Sequence, residues 1–314
     1  MVKVLFTYDY GKENMKKIED LGYDITLSDE KELSYVEELR DIEVLACYNP
    51  FSTFDISKLE RLKWIQLSSI GIDQIPKNIV LKNNIIITNN KGGYSIPIGE
   101  WIVMDILNLL KRSTYFYKKQ NEKHWKMDSK VLELYGKTVT FIGTGTIAVE
   151  AAKRLQGFGV KVLGINTKGR NIEYFNKCYS MSNIDKVLSE SDVVIITLPY
   201  TNDTHHLINE DKFSSMKNNI FFINIARGAI VDEKALINNL QSGKVAAAAL
   251  DVFEEEPLPE SSPLWSMDNV IITPHNSWIS ELRNERRFDL IYENMKRYME
   301  NEELINVTDI SKGY

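Results

Sequence analysis

The sequence has few of the residues that build disulfide frameworks or transition-metal sites. Its 314 residues include two cysteines, Cys47 and Cys178, which argues for a reducing compartment and against structural disulfides. The four histidines show no HxxxH spacing, and no CxxC pair accompanies them. We therefore expect neither a disulfide framework nor a bound metal ion.

Long runs of one residue class are also missing. The formal net charge is −6 and no basic block occurs, so a nucleic-acid-binding surface is not expected. The most apolar stretch, residues 101–110, is interrupted by Asp105 and Asn108 and is shorter than the roughly 18 residues of a membrane span. The first residues lack the apolar core of a signal peptide. These absences predict a cytoplasmic protein without a membrane or nucleic-acid partner.

The sequence does contain a regular alternation of short apolar runs with amphipathic stretches of helical spacing. Such alternation is typical of α/β folds with doubly wound parallel sheets. The runs predicted as strands are, in chain order, VKVLFTY, DITL, DIEVLACY, LKWIQLS and IIIT, then TVTFIG, KVLGIN, DVVIITLP, IFFINIA, VAAAALDV and VIITPH.

The remaining pattern divides the chain into two predicted domains. It predicts one long helix over residues 97–118, a charged helix over residues 281–300 and a last short strand, LINVTD. The second strand series belongs to a domain at residues 98–282. Residues 1–97 and the returning tail, 283–314, form the other domain.

A glycine turn opens the second series of strands. Gly143, Gly145 and Ala148 fit G-x-G-x-x-G/A between an apolar strand and a helix. The first glycine permits a tight turn, the second lets the backbone approach a pyrophosphate, and the small third residue lets helix and strand pack closely. Glycine turns often only connect a strand to a helix, but the flanking elements favour dinucleotide binding here.

The position that reads the ribose in such folds carries an amide instead of an acid. An acid roughly 20 residues after the glycines would bind the 2′-hydroxyl of NAD and repel a 2′-phosphate, but the residue near that position is Asn166. Thr167, Lys168 and Arg170 add donors and positive charge where that phosphate would lie. One interpretation is NADP preference, and the other is a solvated basic loop that tolerates NAD. We favour NADP as the cofactor, with NAD possible.

An arginine, an acidic run and a histidine follow three separate predicted strands. Arg227 ends one strand, three glutamates precede Pro257, and His275 follows the last strand. Open α/β sheets bind ligands at the edge where these strands end. Arg227 would bind the carboxylate of a 2-oxo acid, protonated His275 would supply the alkoxide proton, and a carboxylate would orient the imidazole. Each segment alone has an ordinary alternative: a salt bridge for Arg227, a structural role for His275 and solvation for the acidic run. Because all three segments end at the same edge of the predicted sheet, we favour catalysis.

These segments resemble the D-isomer-specific 2-hydroxyacid dehydrogenases over nearly the whole chain. The similar segments are LKWIQLSSIGIDQI, NEKHWKMDSKVLELYGKTVTFIGTGTIA, SDVVIITLPYTNDTHHLINEDKFSSMKNNIFFINIARGAIVDEKAL, ALDVFEEEP and TPH. The resemblance implies an NAD(P)-dependent enzyme with two α/β domains, the cofactor domain being inserted into the substrate domain. It also implies a homodimer formed through the cofactor domain and the arm around Trp125.

The resemblance assigns roles to particular residues. It puts the catalytic arginine at Arg227, the acid at Glu256, directly before the proline, and the acid/base at His275. It puts a cradle for the substrate carboxylate at the amides of Ile70 and Gly71. The cofactor contacts that it implies are the phosphate-binding amides of Thr146 and Ile147, Pro199 near the adenine, the backbone of Ile225 and Ala226 near the nicotinamide ribose, Asp251 near the carboxamide, and Thr204, His275 and Ser277.

Three positions depart from the family pattern. Asn166 replaces the usual acid, and Ala148 replaces a glycine, which the glycine fingerprint allows. Trp278 stands where a small residue is common after the catalytic histidine. Its indole would narrow the substrate pocket or stack near the nicotinamide; a packing role at a helix start is the alternative.

Together these features predict an NADPH-preferring reductase of small 2-oxo acids, such as glyoxylate, hydroxypyruvate or a short branched 2-keto acid. Two alternatives stay open. One is a dehydrogenase of phosphoglycerate or another D-2-hydroxy acid that uses NAD. The other is a dinucleotide-sensing, corepressor-like interaction protein, because corepressors on this fold retain the catalytic constellation.

Overall fold

The computed structural model describes residues 1–310, which form twelve strands and nine α-helices. The strands are β1 (Val2–Phe6), β2 (Tyr23–Leu27), β3 (Val44–Cys47), β4 (Trp64–Leu67), β5 (Ile86–Thr88), β6 (Thr138–Ile142), β7 (Lys161–Asn166), β8 (Lys177–Ser180), β9 (Val193–Ile196), β10 (Ile220–Asn224), β11 (Val245–Leu250) and β12 (Val270–Ile272). The helices are α1 (Lys12–Asp20), α2 (Lys77–Lys82), α3 (Ser95–Lys111), α4 (Ser113–Asn121), α5 (Thr146–Leu155), α6 (Ile184–Glu190), α7 (Glu210–Ser215), α8 (Glu233–Gln241) and α9 (Arg283–Glu300).

The chain forms two compact units, one inserted into the other. The first comprises Met1–Tyr94 and the residues from Ser280 onward, and the second is Ser95–Ile279. The first unit has a five-stranded sheet in the order β2-β1-β3-β4-β5, and the second has a seven-stranded sheet in the order β12-β11-β10-β9-β6-β7-β8. All strand pairs in both sheets are parallel. The first order is flavodoxin-like and the second is a Rossmann order with one added strand, so the predicted fold class is confirmed.

The sheet of the first unit is buried on both faces. Leu5, Leu45 and Ile65 pack into one apolar cluster, while the adjacent Val44 and Trp64 pack into another on the opposite face. Successive side chains of a strand point to opposite faces, so strands covered on both sides are mostly apolar along their length. This explains the continuous apolar runs in the sequence.

A buried polar network ties the C-terminal helix to the first sheet. The indole of Trp64 donates to Thr88 Oγ1, and Thr88 donates to Gln66 Oε1, each at 2.8 Å. Asn294 on α9 also donates to Gln66 Oε1 at 2.8 Å and accepts from the amide of Ile305 at 2.7 Å. Because buried polar groups need partners, this network favours the return of the tail to this unit.

The second sheet reverses its winding between β6 and β9. These strands pair in register from Val139 opposite Val193 to Ile142 opposite Ile196. From β6 the chain proceeds outward through β7 and β8, and it then returns to build the other half from β9. The carboxyl ends on either side of such a reversal line the crevice in which ligands bind.

Three details differ from the sequence-based prediction. The predicted helix 97–118 is divided into α3 and α4 at Arg112, whose φ of 55° and ψ of 46° are left-handed. Strand β8 was not predicted, and the predicted strand LINVTD forms only an isolated antiparallel bridge between Val307 and Thr88. Within residues 1–310, no helix has the length and apolar character needed to cross a bilayer.

Candidate active site

The glycine turn leaves space at the N-terminus of α5. Gly143 has a φ of +103°, and a Cβ there would lie 2.6 Å from the carbonyl oxygen of Thr197, so glycine is required. A Cβ on Gly145 would have no atom within 4 Å and would point into open space. Helix α5 begins at Thr146, followed by Ile147, and its first amides have no intrahelical acceptor. The turn therefore fits a phosphate-bearing cofactor.

Asn166 organises the loop that follows β7. Its side-chain amide donates to Arg170 O at 2.8 Å and to Thr144 Oγ1 at 3.2 Å. Its Oδ1 accepts from the amides of Arg170 at 3.0 Å and Lys168 at 3.3 Å. The side chains of Thr167, Lys168 and Arg170 are exposed. The side-chain amide of Asn166 thus shapes the loop. The exposed side chains of Thr167, Lys168 and Arg170 supply the hydrogen-bond donors and the positive charge of the loop.

Two further strand ends carry predicted cofactor contacts. After β9, Thr204 accepts from the amide of Thr201 at 2.8 Å and donates to the carbonyl of Pro199 at 2.9 Å, which closes the loop. After β10, Ile225 and Ala226 are buried.

The segment of Arg227 packs against the segment that contains Glu256. A Cβ on Gly228 would lie 1.8 Å from the carbonyl carbon of Phe253, so the two backbones approach too closely for a side chain. Asn224 at the end of β10 donates to Arg227 O at 3.0 Å and accepts from the amide of Ala226 at 3.1 Å. Arg227 itself is half-buried.

The structure brings His275 and Glu256 together. His275 Nδ1 lies 2.9 Å from Glu256 Oε2, and Glu256 Oε1 accepts from the amide of Phe253 at 3.0 Å. Partial burial acts to raise the pKa of Glu256, but the bonds from His275 and Phe253 and the charge of Arg227 outweigh it, so the pKa lies below its usual value. The carboxylate is therefore ionised at neutral pH and accepts hydrogen bonds only.

Asp251 fixes the turn that carries His275. Its buried carboxylate accepts from Thr273 Oγ1 at 2.6 Å and from the amides of Asn276 at 2.8 Å and Ser277 at 3.0 Å. The turn holds His275 at a φ of 51°, a backbone conformation that costs free energy for a non-glycine residue. Asp251, predicted to lie near the carboxamide, thus has a structural role in the turn.

Trp278 also belongs to this turn. Its indole N–H donates to the carbonyl oxygen of His275 at 2.9 Å, and the ring is half-buried. The bond closes the turn around the histidine. It supports the packing role of Trp278.

Behind Asp251 lies a carboxyl group that the sequence did not mark as functional. Asp105 on α3 is 3% exposed, and its Oδ1 is buried without a hydrogen-bond partner in the described part of the chain. Burial, and next the charge of Asp251, raise the pKa of Asp105 to about 7. In a sequence, a single acidic residue in an apolar helix looks like a solvent-exposed position. Only the packing of the folded protein shows that Asp105 is buried.

In the first unit, the segment after β4 forms a loop whose carbonyl oxygens accept hydrogen bonds. Asn89 Nδ2 donates to Ile70 O at 2.8 Å, and the Ser69 hydroxyl donates to Gly71 O at 2.8 Å. Within residues 1–310, the backbone amides of Ile70 and Gly71 donate no hydrogen bond. They are available to an anion, as the prediction for these two residues requires.

Three residues that support this geometry were not predicted. Asn224 holds the backbone around Arg227, and Thr273 and Asn276 bind Asp251. A polar residue that ends an apolar strand, such as Asn224, is the signal that could have identified them.

Comparison with known proteins identifies the family of this chain. Residues 103–277 match the profile of the D-isomer specific 2-hydroxyacid dehydrogenase, NAD binding domain. Glyoxylate reductase of Thermofilum pendens is 34% identical, over 83% of this chain and 79% of its own. D-3-phosphoglycerate dehydrogenase of Methanocaldococcus jannaschii is 31% identical, over 99% of this chain but 60% of its own.

A solved structure covers both units. The D-isomer specific 2-hydroxyacid dehydrogenase of Xanthobacter autotrophicus, in complex with NADPH and MES, superposes with a TM-score of 0.84 and 26% identity, over 100% of this chain and 99% of its own. Profile, relatives and structure agree with the resemblance seen in the sequence. The chain therefore belongs to the D-isomer specific 2-hydroxyacid dehydrogenase family and is an oxidoreductase that acts on CH–OH groups with NAD(P).

Proposed function

We propose that the enzyme reduces a small 2-oxo acid, of the glyoxylate or hydroxypyruvate type, with NADPH. The observation that carries the proposal is the His275–Glu256 pair at 2.9 Å, in the unit that also presents Arg227 at a strand end. A carbonyl reduction needs a proton donor beside a group that holds the anion, and this arrangement supplies both.

The pair defines which imidazole nitrogen donates the proton. Ionised Glu256 only accepts, so the hydrogen on His275 Nδ1 lies in the bond between them. Nε2 is then the nitrogen that gives a proton to the substrate oxygen, and in the reverse direction it takes the hydroxyl proton. Glu256 also fixes the orientation of the ring.

Arg227 binds the substrate anion. A guanidinium presents parallel N–H donors that match a carboxylate, and its charge polarises a neighbouring carbonyl. In the first unit, the amides of Ile70 and Gly71 are proposed to bind a substrate carboxylate. Losing Arg227 is therefore expected to weaken substrate binding and also to slow the reaction.

The glycine turn and the loop after β7 are proposed to hold the cofactor. When bound, the nicotinamide supplies the hydride. The open space over Gly145 would admit a pyrophosphate, and the amides of Thr146 and Ile147 would hold it. Exposed Lys168 and Arg170 favour a 2′-phosphate, in agreement with the NADPH bound by the Xanthobacter relative.

A second candidate function is oxidation of a D-2-hydroxy acid such as 3-phosphoglycerate with NAD. The observation in its favour is that the M. jannaschii phosphoglycerate dehydrogenase aligns with 99% of this chain. The basic loop at residues 168–170 argues against this candidate, because NAD has no 2′-phosphate to interact with the positive charge of the loop.

The test is a matrix of initial rates. Glyoxylate, hydroxypyruvate, a branched 2-keto acid and 3-phosphohydroxypyruvate are each assayed with NADPH and with NADH. We expect the highest kcat/KM for a small 2-oxo acid with NADPH. A clear preference for NADH or for the phosphorylated substrate would favour the second candidate, and binding of NADPH without turnover would favour a sensing protein.

We also propose that the enzyme is a homodimer formed through the cofactor-binding unit. The arm after α4 exposes large apolar groups, with Trp125 fully exposed and Met127 91% exposed. Exposed apolar surface of this kind marks interaction sites. Light scattering should give about twice the mass of one chain, and a monomer mass at working concentration would refute this.

A further inference from the structure

The loop of residues 68–71 has a hydrogen bond to every one of its carbonyl oxygens. Tyr94 donates its hydroxyl to Ser68 O at 2.6 Å, and the amide of Asn90 donates to Ser69 O at 2.8 Å. The bonds to Ile70 O and Gly71 O, from Asn89 and Ser69, complete the set. These four hydrogen bonds fix the peptide planes of the loop.

Fixing a carbonyl also fixes the amide in the same peptide plane. A trans peptide points its C=O and its N–H in opposite directions. The bond from Asn89 to Ile70 O therefore sets the direction of the N–H of Gly71, and the bond to Ser69 O sets that of Ile70. Tyr94 fixes the plane before them, at the point where the loop leaves β4.

The Tyr94 hydroxyl is itself held by a buried cation. Arg287 on α9, 7% exposed, donates to it from Nη2 at 2.6 Å and from Nε at 2.8 Å. A phenol has one hydrogen to give and two lone pairs to accept with. The hydroxyl gives its hydrogen to Ser68 O and accepts from Arg287, and charged donors strengthen the bond that the hydroxyl gives.

We propose that Tyr94, held by Arg287, and Asn89 are positioning residues that keep the amides of Ile70 and Gly71 aimed at the substrate carboxylate. This inference rests on the proposed function, since it assigns the ligand of the loop as a carboxylate. Neither side chain is required to touch substrate. Their effect is on the affinity for the anion and not on the proton or hydride transfer.

Tyr94→Phe tests the proposal, because it removes the hydroxyl and keeps the ring. We expect KM for the 2-oxo acid to rise on the order of 10-fold, with kcat and KM for NADPH changed by less than about two-fold. Inhibition by oxamate, which has the carboxylate but is not reduced, should weaken by the same factor. Asn89→Ala, which frees Ile70 O, should change the same two quantities in the same direction.

Tyr23→Phe is the matched control. Tyr23 is 2% exposed in the same unit, and its hydroxyl donates to a helix carbonyl, that of Met295, at 2.9 Å. Its loss should lower Tm but leave KM for the 2-oxo acid unchanged.

The outcomes separate the inference from the proposed function. If the unaltered enzyme reduces a 2-oxo acid but Tyr94→Phe and Asn89→Ala both retain its KM and oxamate inhibition, the positioning role is wrong and the function stands. If the two variants lower kcat and Tm without raising KM, the network is structural only. If the unaltered enzyme reduces no 2-oxo acid, the function and the inference both fail.

Discussion

Two segments at the same edge of the seven-stranded sheet are held in different ways. The turn after β12 is bound by a buried carboxylate, Asp251, through three hydrogen bonds of 2.6 to 3.0 Å. The loop after β7 is shaped by one half-buried amide, Asn166, and its basic side chains are exposed. The first is proposed to position a proton donor, and the second to present charge to a cofactor.

The difference follows from what each segment is proposed to do. A proton transfer requires donor and acceptor within hydrogen-bond distance, so small displacements of His275 are costly. A charge that recognises a phosphate acts over several ångströms and tolerates motion. Changes in the turn after β12 should therefore affect the reaction rate, whereas changes in the loop after β7 should affect cofactor choice.

The largest effect is expected from His275→Ala. Removing a general acid commonly costs 10²- to 10⁴-fold, and we expect kcat to fall by at least about 100-fold. KM for NADPH should change little, because the loop after β7 is untouched. Steady-state rates over a pH series measure this. Full activity at any pH would remove the imidazole from the mechanism.

The next effect concerns the group behind the turn. Asp105 has a pKa of about 7 in the folded protein and an ordinary value near 4 in the unfolded chain. At a pH between these two pKa values, Asp105 is protonated in the folded protein and ionised in the unfolded chain. The free energy of unfolding therefore decreases as pH rises from about 4 to about 7, by at most roughly 4 kcal/mol, and this contribution is constant above pH 7.

Asp105→Asn removes that titration with little change of shape. We expect it to raise the free energy of unfolding at pH 8 and to leave it nearly unchanged at pH 4. Urea unfolding at several pH values gives the comparison. Equal stabilisation at both pH values would mean that the charge of Asp105 is not the cause.

This pair of carboxyl groups also shows where sequence reasoning ends. Asp251 follows an apolar strand within a recognisable motif, so its importance could be predicted. Asp105 interrupts an apolar helix, and such a residue usually lies on the solvent face. Whether it is buried depends on how α3 packs in the second unit, and no local pattern contains that information.

The elements of the fold also divide into those that the sequence predicts and those that it does not. Strands β9 and β10 are buried throughout, so their apolar runs predicted them. Strand β8, with the sequence KCYS, lies at the sheet edge and only Cys178 is buried, so the run is too polar and too short to detect. The break at Arg112 was equally hidden, since no glycine or proline marks it.

A smaller effect is expected in the loop after β7. Lys168→Ala with Arg170→Ala should lower kcat/KM for NADPH on the order of 10-fold and leave that for NADH within about two-fold, because only NADPH carries the 2′-phosphate. Both values come from initial rates at a saturating 2-oxo acid concentration. Neither side chain has a hydrogen bond to the turn after β12 within residues 1–310, so kcat should be retained. An equal loss with both cofactors would mean that the loop charge does not select NADP.

Trp278→Phe gives the smallest expected change and the finest test of the turn. Phenylalanine keeps an aromatic ring but cannot donate to His275 O, the bond of 2.9 Å that closes the turn. One net hydrogen bond is worth about 1 kcal/mol, so kcat should fall roughly five-fold. If the indole acts only by holding the histidine, that factor is the same for glyoxylate and for a branched 2-keto acid. If the ring also contacts substrate, Trp278→Ala changes their ranking while Trp278→Phe does not, because only alanine removes the volume of the ring.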